Sequence, residues 1–225
     1  MIVLGLDTAL GACSAAVVSD DRVLAHEHRD MLRGHAEALA PMVEALMRAS
    51  GLGFADLDRI AVTTGPGTFT GQRVGLAFAR GLRVALHIPA IGVTTLDAMA
   101  AEGLERHPGP WAIAAADAKR GEIYLGARSA KGETLIEPEL IALDAGPARI
   151  GALVLLHGAR VVLAGTAAEA IAALLMQAGL QPMDSLVRQP DAIIVARLGA
   201  GVPAGGPPKP LYLRAPDAKL PGRLP

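Results

Sequence analysis

The chain has 225 residues, 52% of them hydrophobic, which suits one large domain or two small ones and makes a sizeable core easy to bury. A formal net charge of −1 and 3% aromatic residues exclude a broad electrostatic pull toward nucleic acid or anionic membrane. They also leave few rings for stacking bases, so this chain is not expected to be the main reader of an RNA.

No charge-free apolar run reaches the roughly 18 residues of a membrane span. The start, "MIVLGLDTAL", lacks the basic region of a secretory signal. Cys13 is the single cysteine, which excludes an internal disulfide and agrees with a reducing cytosol. Apolar runs at 2–6, 13–19 and 22–28, joined by turns at Gly11 and at Asp20-Asp21, read as three antiparallel strands. From 35 to 50 the period changes. Leu39, Met42, Val43 and Leu46 fall at i, i+3, i+4 and i+7, the stripe of an amphipathic helix that Gly51 stops. Met47 and Ala40 widen its apolar surface. A strand over 59–64 leads into the loop "TTGPGTFTGQRVG" (63–75) and a helix over 71–86, with Thr70 as a candidate cap. A short strand over 90–93 follows, then a helix from about Thr94 with Asp97 completing a capping box.

The second half repeats the order, with strands at 111–118, 122–128 and 133–139, a helix at 145–157, a strand at 160–165 and a helix at 167–180. The reading is βββαβα twice over, a repeat of topology rather than of sequence. Two units are expected, 1–106 and 107–225. Residues 201–225, rich in proline and glycine, read as an extended solvated tail, made basic by Lys209, Arg214, Lys219 and Arg223 against Asp217 alone.

The glycine loop between strand and helix has two readings. Backbone N–H groups at a helix start bind phosphate even without lysine. Yet "GPGTFTGQR" is neither G-x-x-x-x-G-K-[ST] nor G-x-G-x-x-G, and glycines also serve tight corners and close backbone approach. Spacing favours the corner. The minor reading joins Gly65 and Gly67 to Asp7 and Thr8 at the end of the first strand, as a phosphate loop with a carboxylate for Mg²⁺. Val74, Leu76, Phe78, Leu82 and Val84 then spread apolar groups around most of the 71–86 helix. Such a helix needs cover on both sides, from its own domain or from another chain.

His26 and His28 lie on one face of a strand, with His35 near in sequence, and three histidines suit a metal. No H-E-x-x-H occurs and no acidic residue stands at a recognisable ligand spacing, so no metal is expected. No G-x-S-x-G occurs, and Cys13 lies in an apolar strand, so no nucleophile stands out.

Two βββαβα halves beginning "LGLDTALGACSAAVV" resemble the actin-like (ribonuclease H-like) ATPase superfamily, an α/β fold of two subdomains. The stretches "GHAEALAPMVEALMRASGL", "TTGPGTFTGQRVGLAFARGL", "IPAIGVTTLDAMA", "AADAKRGEIY" and "PLYLRAPDAKLPGR" are similar to the bacterial TsaB (YeaZ) family along nearly the whole chain. The resemblance implies a cytoplasmic, non-catalytic accessory subunit in making N6-threonylcarbamoyladenosine at position 37 of tRNAs that read codons starting with A. It implies pairing with TsaD, a paralogue of the same fold, a TsaE ATPase that joins them, and self-association. No cofactor is required by this chain; the wider complex uses ATP, and tRNA is met mainly through the partner.

Both pairings use the first two helices as a bundle. Here that places His35, Leu39, Met42, Val43, Leu46 and Met47 with Arg73, Val74, Phe78 and Leu82 at the interface. TsaD carries two metal-binding histidines four apart where Thr95 and Met99 stand in this chain, so its metal site is expected to be missing by substitution. The alternative is a stand-alone ATPase or small-molecule kinase, carried by the superfamily fold, Asp7 and the glycine loop. Its adenosine loop would be "LAGTAAE" (163–169), a thin candidate. A peptidase, the third reading, has neither the ligand pair nor a nucleophile.

Overall fold

The computed structural model describes residues 1–214. Three antiparallel strands open the chain: β1 (Ile2–Asp7), β2 (Ala12–Ser19) and β3 (Arg22–Asp30). Helix α1 (His35–Ser50) returns the chain to β4 (Arg59–Thr63), which pairs parallel to β1, and α2 (Phe69–Leu86) returns it to β5 (Ala90–Val93), parallel to β4. The sheet order is β3-β2-β1-β4-β5. After α3 (Thr95–Arg106) the same course repeats with β6 (Trp111–Lys119), β7 (Glu122–Ser129), β8 (Thr134–Ala142), α4 (Gly146–His157), β9 (Arg160–Ala164), α5 (Ala168–Gln177) and β10 (Gln181–Asp184). The second sheet runs β10-β9-β6-β7-β8, the same order in mirror listing. Helix α6 (Ala192–Gly201) closes the second course.

Each half runs βββαβαβα: the closing strand and helix of the first half were expected at 90–93 and from Thr94, and those of the second, β10 and α6, were not. The sequence carries little sign of α6, since "AIIVARLGAG" is apolar on nearly every side and shows no polar period. It is buried on Ala192, Ile194, Val195, Ala196 and Gly199. A Cβ on Gly5 of β1 would lie 2.1 Å from the Ala192 carbonyl oxygen, so α6 rests directly on strand backbone.

Helices α1 and α2 cover one face of the first sheet, where Leu4, Leu6, Ile60 and Val62 meet Leu39, Met42, Val43, Leu46 and Leu76. The other face is covered by α6, from the far end of the chain, against Val3, Ala16, Val18 and Ala61. Helix α3, which follows the first sheet, packs instead on the second, with Leu96, Met99 and Ala100 against Ala112, Ala114, Ala116 and Val162. The first sheet ends at Val93 and the second begins at Trp111, while α3 and α6 each pack on the sheet of the other half. The opposite face of the second sheet buries Trp111, Ile113 and Leu163 under Ile150 of α4 and Ile171 and Leu175 of α5.

The stretch expected to be a solvated tail is a strap for as far as it is described. Arg59 Nη1 donates to the carbonyls of Gly199, Ala200 and Val202, closing the end of α6. Pro208 is buried, and its carbonyl accepts from Arg80 Nε at 3.0 Å and Nη2 at 2.5 Å. Leu211 N–H donates to the Thr64 carbonyl at 2.8 Å, and Arg214 pairs with Glu122 of the second half. Lys209 is exposed, while Asp217, Lys219 and Arg223 lie outside the described residues. Arg80→Met is expected to free this strap and speed proteolytic cleavage within 202–207 several-fold, read by limited proteolysis, with a loss of about 1–2 kcal/mol of stability.

Candidate functional site

The period-3.6 stripe of α1 is spent on this chain's own core. His35, Leu39, Met42, Val43, Leu46 and Met47 are all buried within the chain. The interface was expected on those six side chains; within the single chain they are buried, five of them in the core beneath the first sheet. Of the six, Leu39 also reaches the surface groove described next.

The α2 residues behave differently. Leu76 and Ala79 face the sheet, Val74, Phe78 and Leu82 are half-buried, and Arg73 is exposed. Val84 is 68% exposed, and a Cβ on Gly81 would meet nothing within 4 Å. The helix expected to be apolar all round therefore has one face on the sheet and one face open. Between the two helices runs an open groove of about 560 Å³, lined by Ala36, Leu39, Phe69, Val74, Ala77 and Phe78, with Thr70 and Arg73 at its edge. Arg73 is fixed there by two contacts, to two rings that themselves stack. Its guanidinium lies 3.4 Å over the Phe69 ring, Nε donates to Tyr212 Oη at 2.8 Å, and the two rings stack 5.7 Å apart. An apolar floor beside an Arg-aromatic cluster has the makeup of a protein-binding surface.

The glycine loop lies against the β1–β2 turn. Thr68 is the cap of α2, two residues before the candidate Thr70, and its Oγ1 accepts from Gly71 N–H at 3.1 Å. Cβ atoms on Gly67 and Gly71 would stand 2.2 Å from the Ala9 carbonyl oxygen and 2.1 Å from that of Thr8. Gly65 has φ +104°, and its carbonyl accepts from Thr95 N–H at 2.8 Å. Thr8 Oγ1 donates to the Gly71 carbonyl at 2.7 Å and accepts from Gly75 N–H at 3.0 Å. Asp7 is fully buried; its Oδ1 accepts from Thr63 Oγ1 at 2.6 Å and Ala9 N–H at 3.1 Å, while Oδ2 has no partner. Burial pushes its carboxyl up to about 7 against the pull of these hydrogen bonds. Gly11 N–H, an amide a phosphate would use, donates to Gln189 Oε1 at 2.8 Å.

Thr95 and Met99 are both fully buried on α3, Met99 among the alanines of the second sheet. Cys13 is buried, and burial pushes its thiol up to about 11. His35 stands alone at the start of α1, whereas His26 and His28 meet Asp191, 163 residues beyond His28, a neighbour no linear spacing reveals. Asp191 also caps α6, accepting from Ile193 N–H at 2.8 Å, and an Asp before an apolar run was the readable signal for that helix.

Two sheets of matched order, each taking its inner helix from the other half of the course, define an actin-like fold. A ROK hexokinase from Thermus thermophilus shares it at TM-score 0.51 and 17% identity, a likeness of fold alone. A family profile described as TsaD, tRNA N6-adenosine threonylcarbamoyltransferase, matches residues 28–152, more than half of the chain. The chain belongs to that family, among its TsaB/YeaZ members. The tRNA threonylcarbamoyladenosine biosynthesis protein TsaB of Escherichia coli K12 is 39% identical over 124 residues, 55% of this chain and 53% of the relative. The chain thus spans about half the length of such curated relatives. A Mycobacterium tuberculosis protein of unassigned function is 36% identical over 222 residues, covering 96% of this chain and 93% of its own. A Pseudomonas aeruginosa crystal structure, described as similar to peptidase YeaZ, superimposes with TM-score 0.79 at 27% identity, covering 95% of this chain and 99% of its own.

Proposed function

We propose that this chain is a non-catalytic partner subunit supporting a TsaD-type transferase in forming N6-threonylcarbamoyladenosine at position 37 of tRNAs that read codons starting with A. The uncovered apolar groove between α1 and α2, with Arg73 stacked at its edge, is the observation that carries the reading. A helix that leaves Val84 and Phe69 largely in water gains by pairing. The names of the TsaB relatives supply the pathway. Buried Thr95 and Met99 offer no imidazole to a metal, which supports a role without chemistry.

In this reading the groove takes the TsaD-type paralogue or a second copy of this chain, a TsaE-type ATPase joins the pair, and the chain itself needs no cofactor. ATP is used by the wider complex, and tRNA is held mainly by the partner, in the cytoplasm. No helix among the described residues is long and apolar enough to cross a membrane. The test is reconstitution of threonylcarbamoyladenosine formation with and without this chain, using the transferase, the ATPase, the adenylate-forming enzyme, threonine, bicarbonate, ATP and unmodified tRNA. Product only in its presence supports the reading; equal product without it overturns it. Ala77→Arg places a charge and bulk into the groove from an exposed helical position. It is expected to weaken pairing at least tenfold by sedimentation while moving the melting midpoint by less than about 2 °C.

The ATPase alternative is disfavoured by the internal acceptors on Ala9 and Gly11 N–H and by the burial of Asp7. Micromolar ATP affinity with turnover by the isolated chain would restore it.

A further inference from the structure

On β3, His26 pairs across the strand with Ala16 and His28 with Ser14 of β2. Ala16 lies in the cluster beneath α6, and Ser14 Oγ accepts from Ala192 N–H at 3.1 Å. Both imidazoles therefore stand on the face that the first turn of α6 covers, and both meet the residue capping that turn. His26 Nε2 lies 3.0 Å from Asp191 Oδ2, and His28 Nδ1 lies 3.6 Å from the same oxygen. All three ligand atoms fall within 4.8 Å of one another. Ligands held at about 2.0–2.1 Å around a tetrahedral zinc ion stand about 3.3 Å apart; the two histidine–carboxylate spacings bracket that edge, and the two imidazole nitrogens close to it by rotation about their side-chain bonds.

We propose that His26 Nε2, His28 Nδ1 and Asp191 Oδ2 form a binding site for a divalent transition-metal ion of the zinc class, with water in the fourth position. The donor set, two imidazoles and one carboxylate, is one zinc takes with an open place. His28 Nδ1 is buried and makes no hydrogen bond of ordinary length; its charged neighbour is the Asp191 carboxylate of the site, at 3.6 Å. The outer contacts are those that orient metal ligands. His28 Nε2 faces Asp30 Oδ1 at 3.6 Å, a carboxylate behind an imidazole, and Asp191 Oδ1 is pinned by Ile193 N–H. Side-chain exposures of 28% for His26, 27% for His28 and 19% for Asp191 leave a way in for the ion and its water. Behind the site, buried Asp7 and Glu102 each carry a carboxyl oxygen without a partner and feel the charges of His28 and Asp191. The ion would fasten the edge strand of the first sheet to the start of the helix that comes from the far end of the chain.

The test uses the untagged full chain, stripped of metal, titrated with Zn²⁺ by calorimetry and with Co²⁺ by visible absorption. One equivalent is expected, with the intense cobalt bands of a four-coordinate site. Zinc at a hundredfold over its dissociation constant should raise the melting midpoint by about 5–10 °C. Asp191→Asn keeps a competent helix cap while removing the carboxylate, and His28→Gln removes one imidazole. Each should weaken binding by about a hundredfold and abolish the cobalt bands with the fold retained by circular dichroism. His107→Gln, which changes a histidine outside the cluster, should leave binding unchanged. Failure to bind one equivalent at micromolar metal, or binding that survives both His28→Gln and Asp191→Asn, would overturn the site.

Discussion

Gly71→Val is expected to cost the chain about 3 kcal/mol or more, lowering the melting midpoint by roughly 6–12 °C for a protein of this size. A Cβ there would stand 2.1 Å from the Thr8 carbonyl oxygen and 2.6 Å from Thr68 Oγ1. The first obstacle is backbone and cannot swing aside. Thr8 Oγ1 also laces the β1–β2 turn to the Gly71 carbonyl and Gly75 N–H, so moving α2 outward breaks two buried hydrogen bonds together. The groove shares that helix, and partner affinity should fall with it. Gly81→Ala is the contrast, since its Cβ meets nothing within 4 Å on a helical position. It should raise stability by about 0.5–1 kcal/mol. Thermal melts of the two variants beside the wild type suffice. A Gly71→Val protein that melts like wild type and loses only nucleotide affinity would make the loop a phosphate site after all.

Asp7→Asn should stabilise the chain, and by more as pH rises. The buried carboxyl titrates at about 7 rather than 3.8, because burial disfavours its charge. Between those values the native chain keeps a proton that the unfolded chain has released, so stability falls as pH rises through the interval. At 1.36 kcal/mol per pH unit the wild type forgoes up to about 4 kcal/mol by pH 8 on this account. Asparagine keeps the oxygen that Thr63 Oγ1 and Ala9 N–H use and carries no charge. Urea midpoints at pH 4, 6 and 8 should show the variant near wild type at pH 4 and well above it at pH 8. A gap independent of pH would mean that Asp7 is solvated and titrates normally.

Where the residue pattern repeats with a clear period, the fold was legible. Leu39, Met42, Val43 and Leu46 marked α1, and alternation placed His26 and His28 on one face of β3. What periodicity does not tell is who lies across from a stripe. The α1 stripe packs on its own sheet, against Leu4, Leu6, Ile60 and Val62, and only Leu39 of it also lines the groove. Helix α6 escaped notice since alanine, isoleucine and glycine on all sides carry no polar phase to count. The strap was read as solvated from its prolines; Arg73 and Arg80, 139 and 128 residues before their partners, hold it. Asp191 was invisible as a neighbour of the histidines for the same reason: topology, and not spacing, sets that distance.

The exchange of inner helices has a consequence for how the protein is made. When about 150 residues have left the ribosome, the first sheet has α1 and α2 on one face, while the face that awaits Ala192, Val195 and Ala196 is still bare. Val3, Val18 and Ala61 stay without that cover, or are held by a chaperone, until residues 192–196 have been made. Release of the first half before the second is complete would yield a sticky fragment in place of a domain. A stop codon or a protease cut anywhere before 192 is therefore predicted to send the nascent product toward aggregation, and quality control would see truncation as loss of the whole molecule.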